Sequence, residues 1–166
     1  RLCSHLAELT SATPIYLAAP GVVATKSVKN AFMSDPAISE TIEAWKRITT
    51  LIVGIGTFPA SPLLAASGNN LERSEEEQLK NDGAVGEICL RYFDKDGHAM
   101  NPVIEDRVFA IDTKSMRAAP RRIGVAGGAT KLNAIRAAIS GGWINVLITD
   151  SDVARLLLEP PRLKTK

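Results

Sequence analysis

The chain has 166 residues, 45% of them hydrophobic and 23% charged, with a formal net charge of +2. That length suits one compact domain able to bury a core, no apolar run approaches the roughly 18 residues of a membrane span, and so small a charge excludes the broad positive field of a nucleic-acid-binding surface. Cys3 and Cys89, both in apolar surroundings, read as buried thiols of a reducing, cytoplasmic compartment, and His5 and His98 stand far apart with no Cys/His cluster, so no metal is expected. Leu2, Leu6 and Leu9 recur at helical spacing, and Thr13-Pro14 ends that helix before an apolar run, 15–19, expected as a buried strand stopping at Pro20-Gly21. Residues 24–33 resume a helical pattern. Asp35-Pro36 then opens another helix, with aspartate as the cap, proline in the first turn, and Ile38, Ile42 and Trp45 on one face. The apolar, β-branched run 48–55 ends in Gly54-Ile55-Gly56, as expected of a strand covered on both faces, and a loop with Pro59, Ser61 and Pro62 follows. Residues 69–82 are acidic and predict a solvent-facing helix capped by Ser74, with Glu77 completing a capping box and Gly83 closing it. Residues 84–94 are strand-like, and Asp94-Lys95-Asp96-Gly97 has hairpin-turn chemistry, so 84–100 reads as an added β-hairpin; 107–111 reads as a further short strand.

The stretch 122–140 organises the rest. Ile123, Val125 and Ala126 form a strand that breaks at Gly127-Gly128, and Leu132, Ile135 and Ile139 follow at helical spacing. Residues 143–149 predict a buried strand, Asp150 caps a terminal helix carrying Val153, Leu156 and Leu157, and 161–166 form a basic C-terminal tail with Arg162, Lys164 and Lys166. Strands alternating with amphipathic helices predict a three-layer, Rossmann-like α/β domain over 1–160, built on a mostly parallel sheet. The chain begins with Arg inside an amphipathic pattern, without a leader sequence, and is expected to be a fragment of a longer protein.

Ligands of such a sheet collect beyond the carboxyl ends of its strands, which the turns Ala19-Pro20-Gly21, Gly54-Ile55-Gly56, Ala126-Gly127-Gly128 and Thr149-Asp150 mark. Lys131 lies on that rim, in the first turn after Gly128. A cation there opposes the helix dipole unless an anion comes between it and the free N–H groups, to which Thr130 adds donors. One reading is a phosphate site at Gly127, Gly128, Thr130 and Lys131; the other is a turn that needs only glycine's backbone freedom, with Lys131 bent into solvent. Arg121 and Arg122 start a strand roughly 15 Å long and belong to the far end. Gly54, Gly56 and Ser61 border the rim, Ser61 and Ser67 being open to ligand contact or to local turn chemistry. Glu87 and Asp106-Arg107 are charged residues among strand-like neighbours; a carboxylate accepts two sugar hydroxyls, although such residues more often serve the surface or the structure. No Ser/His/Asp or Cys/His arrangement is present, so no catalytic residue and no cofactor are expected.

Taken in order, Val53-Gly54-Ile55-Gly56, Gly83-Ala84-Val85-Gly86-Glu87, Tyr92-Phe93-Asp94 with Asp96-Gly97, Asp106-Arg107-Val108, Val125-Ala126-Gly127-Gly128 with Lys131, and Asn145-Val146-Leu147-Ile148-Thr149-Asp150 with Ala154 and Leu157 resemble the effector-binding domain of SorC-type bacterial transcriptional regulators. The resemblance implies a fold similar to sugar-phosphate isomerases and deaminases, used for sensing instead of turnover. It implies a phosphorylated sugar as effector, a homo-oligomer, and DNA contact only through an N-terminal helix-turn-helix outside this chain, as are the first strands of the family's effector domain. Lys131 with the Gly127-Gly128 turn would hold the phosphate, Glu87 would face sugar hydroxyls, and Asp106 and Arg107 match a further family motif. Only Arg73 stands near the position of a phosphate-binding arginine found in some members. The alternatives are a sugar-phosphate isomerase or deaminase, with Glu87, Asp106 or Asp150 as nominal base, and a pure oligomerisation module.

Overall fold

The structure is a computed structural model, which describes residues 1–60, 71–100 and 103–159. In chain order the elements are α1 (Leu2–Thr10), α2 (Lys26–Ser34), α3 (Pro36–Trp45), β1 (Thr50–Gly54), β2 (Gly56–Thr57), α4 (Arg73–Asn81), β3 (Ala84–Ile88), β4 (Arg91–Asp94), α5 (Thr113–Ala118), β5 (Arg121–Val125), α6 (Leu132–Ser140), β6 (Val146–Ile148) and α7 (Ser151–Leu158). Two 3-10 turns, Val103–Asp106 and Ala129–Lys131, precede α5 and α6.

The fold is mixed α/β. The β-branched runs form a parallel sheet in the order β1-β5-β6, with Gly54 beside Val125 and Val125 beside Ile148. All three strands therefore end at one rim. Only Ile55 separates β1 from β2, where the chain passes into an antiparallel sheet, β2-β3-β4, that sets Gly56 opposite Glu87 and Glu87 opposite Tyr92.

Alternation along β1 sends Leu51 and Val53 into the core and leaves Thr50, Ile52 and Gly54 outside. Against that inner face pack Ala134, Ile135, Ala137 and Ala138 of α6, together with Ile88, Phe93, Met116, Trp143 and Val153. Burying a side chain such as Ile135 contributes about 2 kcal/mol. The outer face of the sheet presents Ile52, Val125 and Ile148, each about half exposed. Asp35 caps α3 as expected, accepting the Ala37 N–H at 2.8 Å, with Pro36 in the first turn.

Several expectations are corrected. Residues 15–19 are not a strand; Ile15 and Tyr16 are exposed, no strand among the described residues pairs with them, and Pro20-Gly21 is not a strand end on the rim. Residues 107–111 give only the isolated bridge Val22–Val108, because the Arg107 and Val108 amides turn back onto the Ile104 carbonyl. The hairpin reverses at Cys89-Leu90, whose φ values of 52° and 62° meet the demand of a two-residue hairpin turn for left-handed backbone; Asp94–Gly97 makes a second turn that returns the chain to Phe93. Helix α4 starts after Glu72, whose N–H bonds to the Glu75 carboxylate, rather than at a Ser74 cap. Its acidic face is not wholly solvated, since Glu75 is buried. Cys3 is exposed, against the expectation of a buried thiol. No helix among the described residues is long and apolar enough to cross a membrane.

Candidate functional site

At the rim, the crossing from β1 to β2 meets the turn that leads into α6. The register places Gly56 against Glu87 so closely that a Cβ on Gly56 would lie 1.9 Å from Glu87 Oε1; glycine is what lets the carboxylate stand there. Glu87 is 9% exposed, and its Oε2 accepts the Leu90 N–H at 2.8 Å. Burial pushes its pKa up, opposed by that N–H and by the positive charge of Lys131. The left-handed turn at Cys89-Leu90 is thus what aims a backbone donor at Glu87.

Lys131 ends the 3-10 turn, and its ammonium points inward: Nζ donates to the Ile55 carbonyl at 2.8 Å. An ammonium has three protons, so two remain for a ligand. The turn itself begins at Gly128, with φ +89°, a conformation reserved in practice for glycine. The Gly128 N–H donates to Asp150 Oδ2 at 2.7 Å, and the Lys131 N–H closes the turn on the Gly128 carbonyl at 3.0 Å. Ala129 and Thr130 are exposed, and their N–H groups find no acceptor among the described residues. Asp150 also caps α7, its Oδ1 accepting the Val153 N–H at 2.9 Å; the Val153 and Gly128 N–H groups together hold its carboxyl below the usual range.

The structure therefore brings together Gly56, Glu87, Gly127, Gly128, Thr130 and Lys131, with Gly54 at the end of β1 beside Val125. Asp106 and Arg107 have other company. Asp106 pairs with Lys26 at 3.1 Å, while Arg107 donates to the Val23 carbonyl, to Glu72 and, at 2.8 Å, to buried Glu75. Arg73 pairs with Glu77 on the surface of α4. Arg122 lies beside Leu51, away from the rim, as expected. Ser61 and Ser67 fall outside the described residues. Sequence reading missed two participants. The Ile55 carbonyl has no side-chain signal, and the Asp150–Gly128 bond joins residues 22 apart.

Chemically, the arrangement offers an ammonium, two free amides and the Thr130 hydroxyl for a compact anion, and across Gly56 a carboxylate for hydroxyl groups. No histidine enters it: His98 bonds to Asp94 on the exposed hairpin return, where Asp94 already accepts the Asp96 and His98 amides.

Residues 1–159 match the family model described as "Putative sugar-binding domain". The deoxyribonucleoside regulator of Bacillus subtilis (strain 168) is 36% identical over 152 residues, covering 92% of this chain and 48% of that protein. The sorbitol operon regulator of Klebsiella pneumoniae is 28% identical over 159 residues, covering 94% and 46%. This chain thus spans about half the length of the curated relatives it matches. Among solved structures, a DeoR family transcriptional regulator from Listeria monocytogenes superposes with a TM-score of 0.85 at 25% identity, over 95% of this chain and 63% of that one. The full-length sorbitol operon regulator SorC from Klebsiella pneumoniae gives 0.84 at 24% identity, over 92% and 49%, and speaks for the fold.

Proposed function

We propose that this chain, which belongs to the sugar-binding domain family, is the effector-sensing part of a transcriptional regulator and that its effector is a phosphorylated sugar bound at the rim. The phosphoryl group sits between the Lys131 ammonium and the Ala129 and Thr130 amides, against the Gly127-Gly128 turn, and the sugar hydroxyls donate to Glu87 across Gly56. The observation that carries this reading is the inward Lys131: its ammonium is anchored on the Ile55 carbonyl beside unengaged amides, instead of extending into solvent. Relatives named for a deoxyribonucleoside and for sorbitol fit an effector that carries sugar or polyol hydroxyl groups. Binding, not turnover, is the reading for Glu87. The relatives that this chain matches are named as regulators, which favours a binding role for Glu87.

In the longer protein, effector binding at this cytoplasmic domain, residues 1–160, alters how a helix-turn-helix elsewhere grips DNA, and the regulator acts as a homo-oligomer. Calorimetric titration with paired sugars and sugar phosphates tests the core of this reading. Heat released by a phosphorylated member and not by its unphosphorylated partner supports it. Equal responses to both, or a Lys131→Ala protein that binds as the native one does, refutes the phosphate assignment.

A further inference from the structure

The Asp150 carboxylate does two things at once. Oδ1 accepts the Val153 N–H at the start of α7, and Oδ2 reaches across the rim to the Gly128 N–H at 2.7 Å. It stands so close to the other glycine that a Cβ on Gly127 would lie 2.7 Å from Oδ2. Gly127 carries no left-handed φ, so its lack of a side chain answers to the carboxylate rather than to backbone conformation. The turn's first amide is therefore committed to protein, and what is left for an anion is the next two amides and the Lys131 ammonium.

We infer that Asp150 is the positioning residue of this turn: by tying the Gly128 amide to the head of α7, it holds the Ala129 and Thr130 amides and Lys131 in the arrangement that receives an anion. The inference rests on the phosphate reading above and adds to it the part that preorganises the site. Without the tie, binding must itself supply the order that the carboxylate supplies in advance. The bond at stake is charge-assisted. Breaking it is expected to weaken anion binding roughly tenfold, because the turn is then no longer ordered in advance.

Two substitutions break the tie from opposite sides. Gly127→Ala drives the carboxylate off the turn while leaving its charge in place. Asp150→Ser keeps a hydroxyl able to cap α7 but too short to reach Gly128 as well, so loss of the cap is not at issue. Inorganic phosphate is the probe, followed by the amide resonances of Ala129 and Thr130. The native protein is expected to show phosphate-dependent shifts of both. Gly127→Ala in the native background should need about tenfold more phosphate, and less than about twofold more when added to Asp150→Ser, because the clash partner is then gone. Hydrogen exchange at the Gly128 amide should be slow in the native protein and fast in both variants, with or without phosphate. The positioning role is overturned if Gly127→Ala costs the same in both backgrounds, or nothing in the native one, while the native shifts persist. Absence of any phosphate-dependent shift at Ala129 and Thr130 in the native protein overturns the phosphate reading itself, and the positioning role with it.

Discussion

Adding one methyl group to Gly56 tests the placement of Glu87 more sharply than removing the carboxylate does. A Cβ at that position would lie 1.9 Å from Oε1, 2.8 Å from Cδ and 3.1 Å from Cγ of Glu87, so the whole carboxyl group has to move. It is not free to move cheaply, because Oε2 holds the Leu90 N–H at 2.8 Å in a buried setting. Losing a hydrogen bond to a charged group costs about 2 kcal/mol. For a domain of this length, that lowers the melting temperature by roughly 4–8 °C. Differential scanning calorimetry of Gly56→Ala reads the loss directly. The control is the same substitution in Glu87→Ala protein, where the carboxyl is absent and the penalty should fall below about 0.5 kcal/mol. The Gly56→Ala protein should also lose response to a sugar phosphate, its hydroxyl acceptor having been turned away. Equal destabilisation in both backgrounds would mean that the methyl group meets something other than Glu87, and no destabilisation in either would mean that Glu87 does not stand over Gly56; both outcomes refute the reasoning.

Three further outcomes follow from the same geometry. Glu87 is held with a raised pKa by burial, so the folded state binds its proton more tightly than the unfolded chain does; the associated stability is present below the usual glutamate range and is lost as pH rises through the raised value. Glu87→Gln should therefore melt higher than the native protein at neutral pH and show a flatter stability profile from pH 4 upward, a comparison made by thermal melts across pH. Arg107→Ala leaves buried Glu75 without its guanidinium partner, and the loss of about 3 kcal/mol expected on breaking such a pair is measurable by urea unfolding. Alkylation with iodoacetamide at pH 8 should label exposed Cys3 and spare Cys89, whose thiol is pushed up to about 11 by burial; intact-mass analysis should count one adduct on the folded chain and two after denaturation.

The parallel sheet was legible because its information is local: three β-branched runs, each halted by glycine or a helix cap, announce β1, β5 and β6 and their shared rim. Lys131 and Glu87 were legible for a related reason, each being a charge in a place where charge is costly. What escaped depends on contacts distant in sequence. The run at 15–19 has strand composition but no partner edge among the described residues, so composition alone misleads. The hairpin reverses at Cys89-Leu90, two residues without turn chemistry, because Glu87 rewards the Leu90 amide for the left-handed backbone. Arg107 was open to a ligand contact or a structural role, and its bond to Glu75 exists only once the fold brings the two together. The cap at Asp150 was readable, whereas its second bond, to Gly128, exists only once β5 and β6 lie side by side.

Titration of the native and Lys131→Ala proteins with one sugar phosphate and with the same sugar lacking the phosphate bears most directly on the account. Saturable binding by the native protein, confined to the phosphorylated form and weakened at least about tenfold on loss of the ammonium, is the result it predicts. Undiminished binding by Lys131→Ala would contradict it.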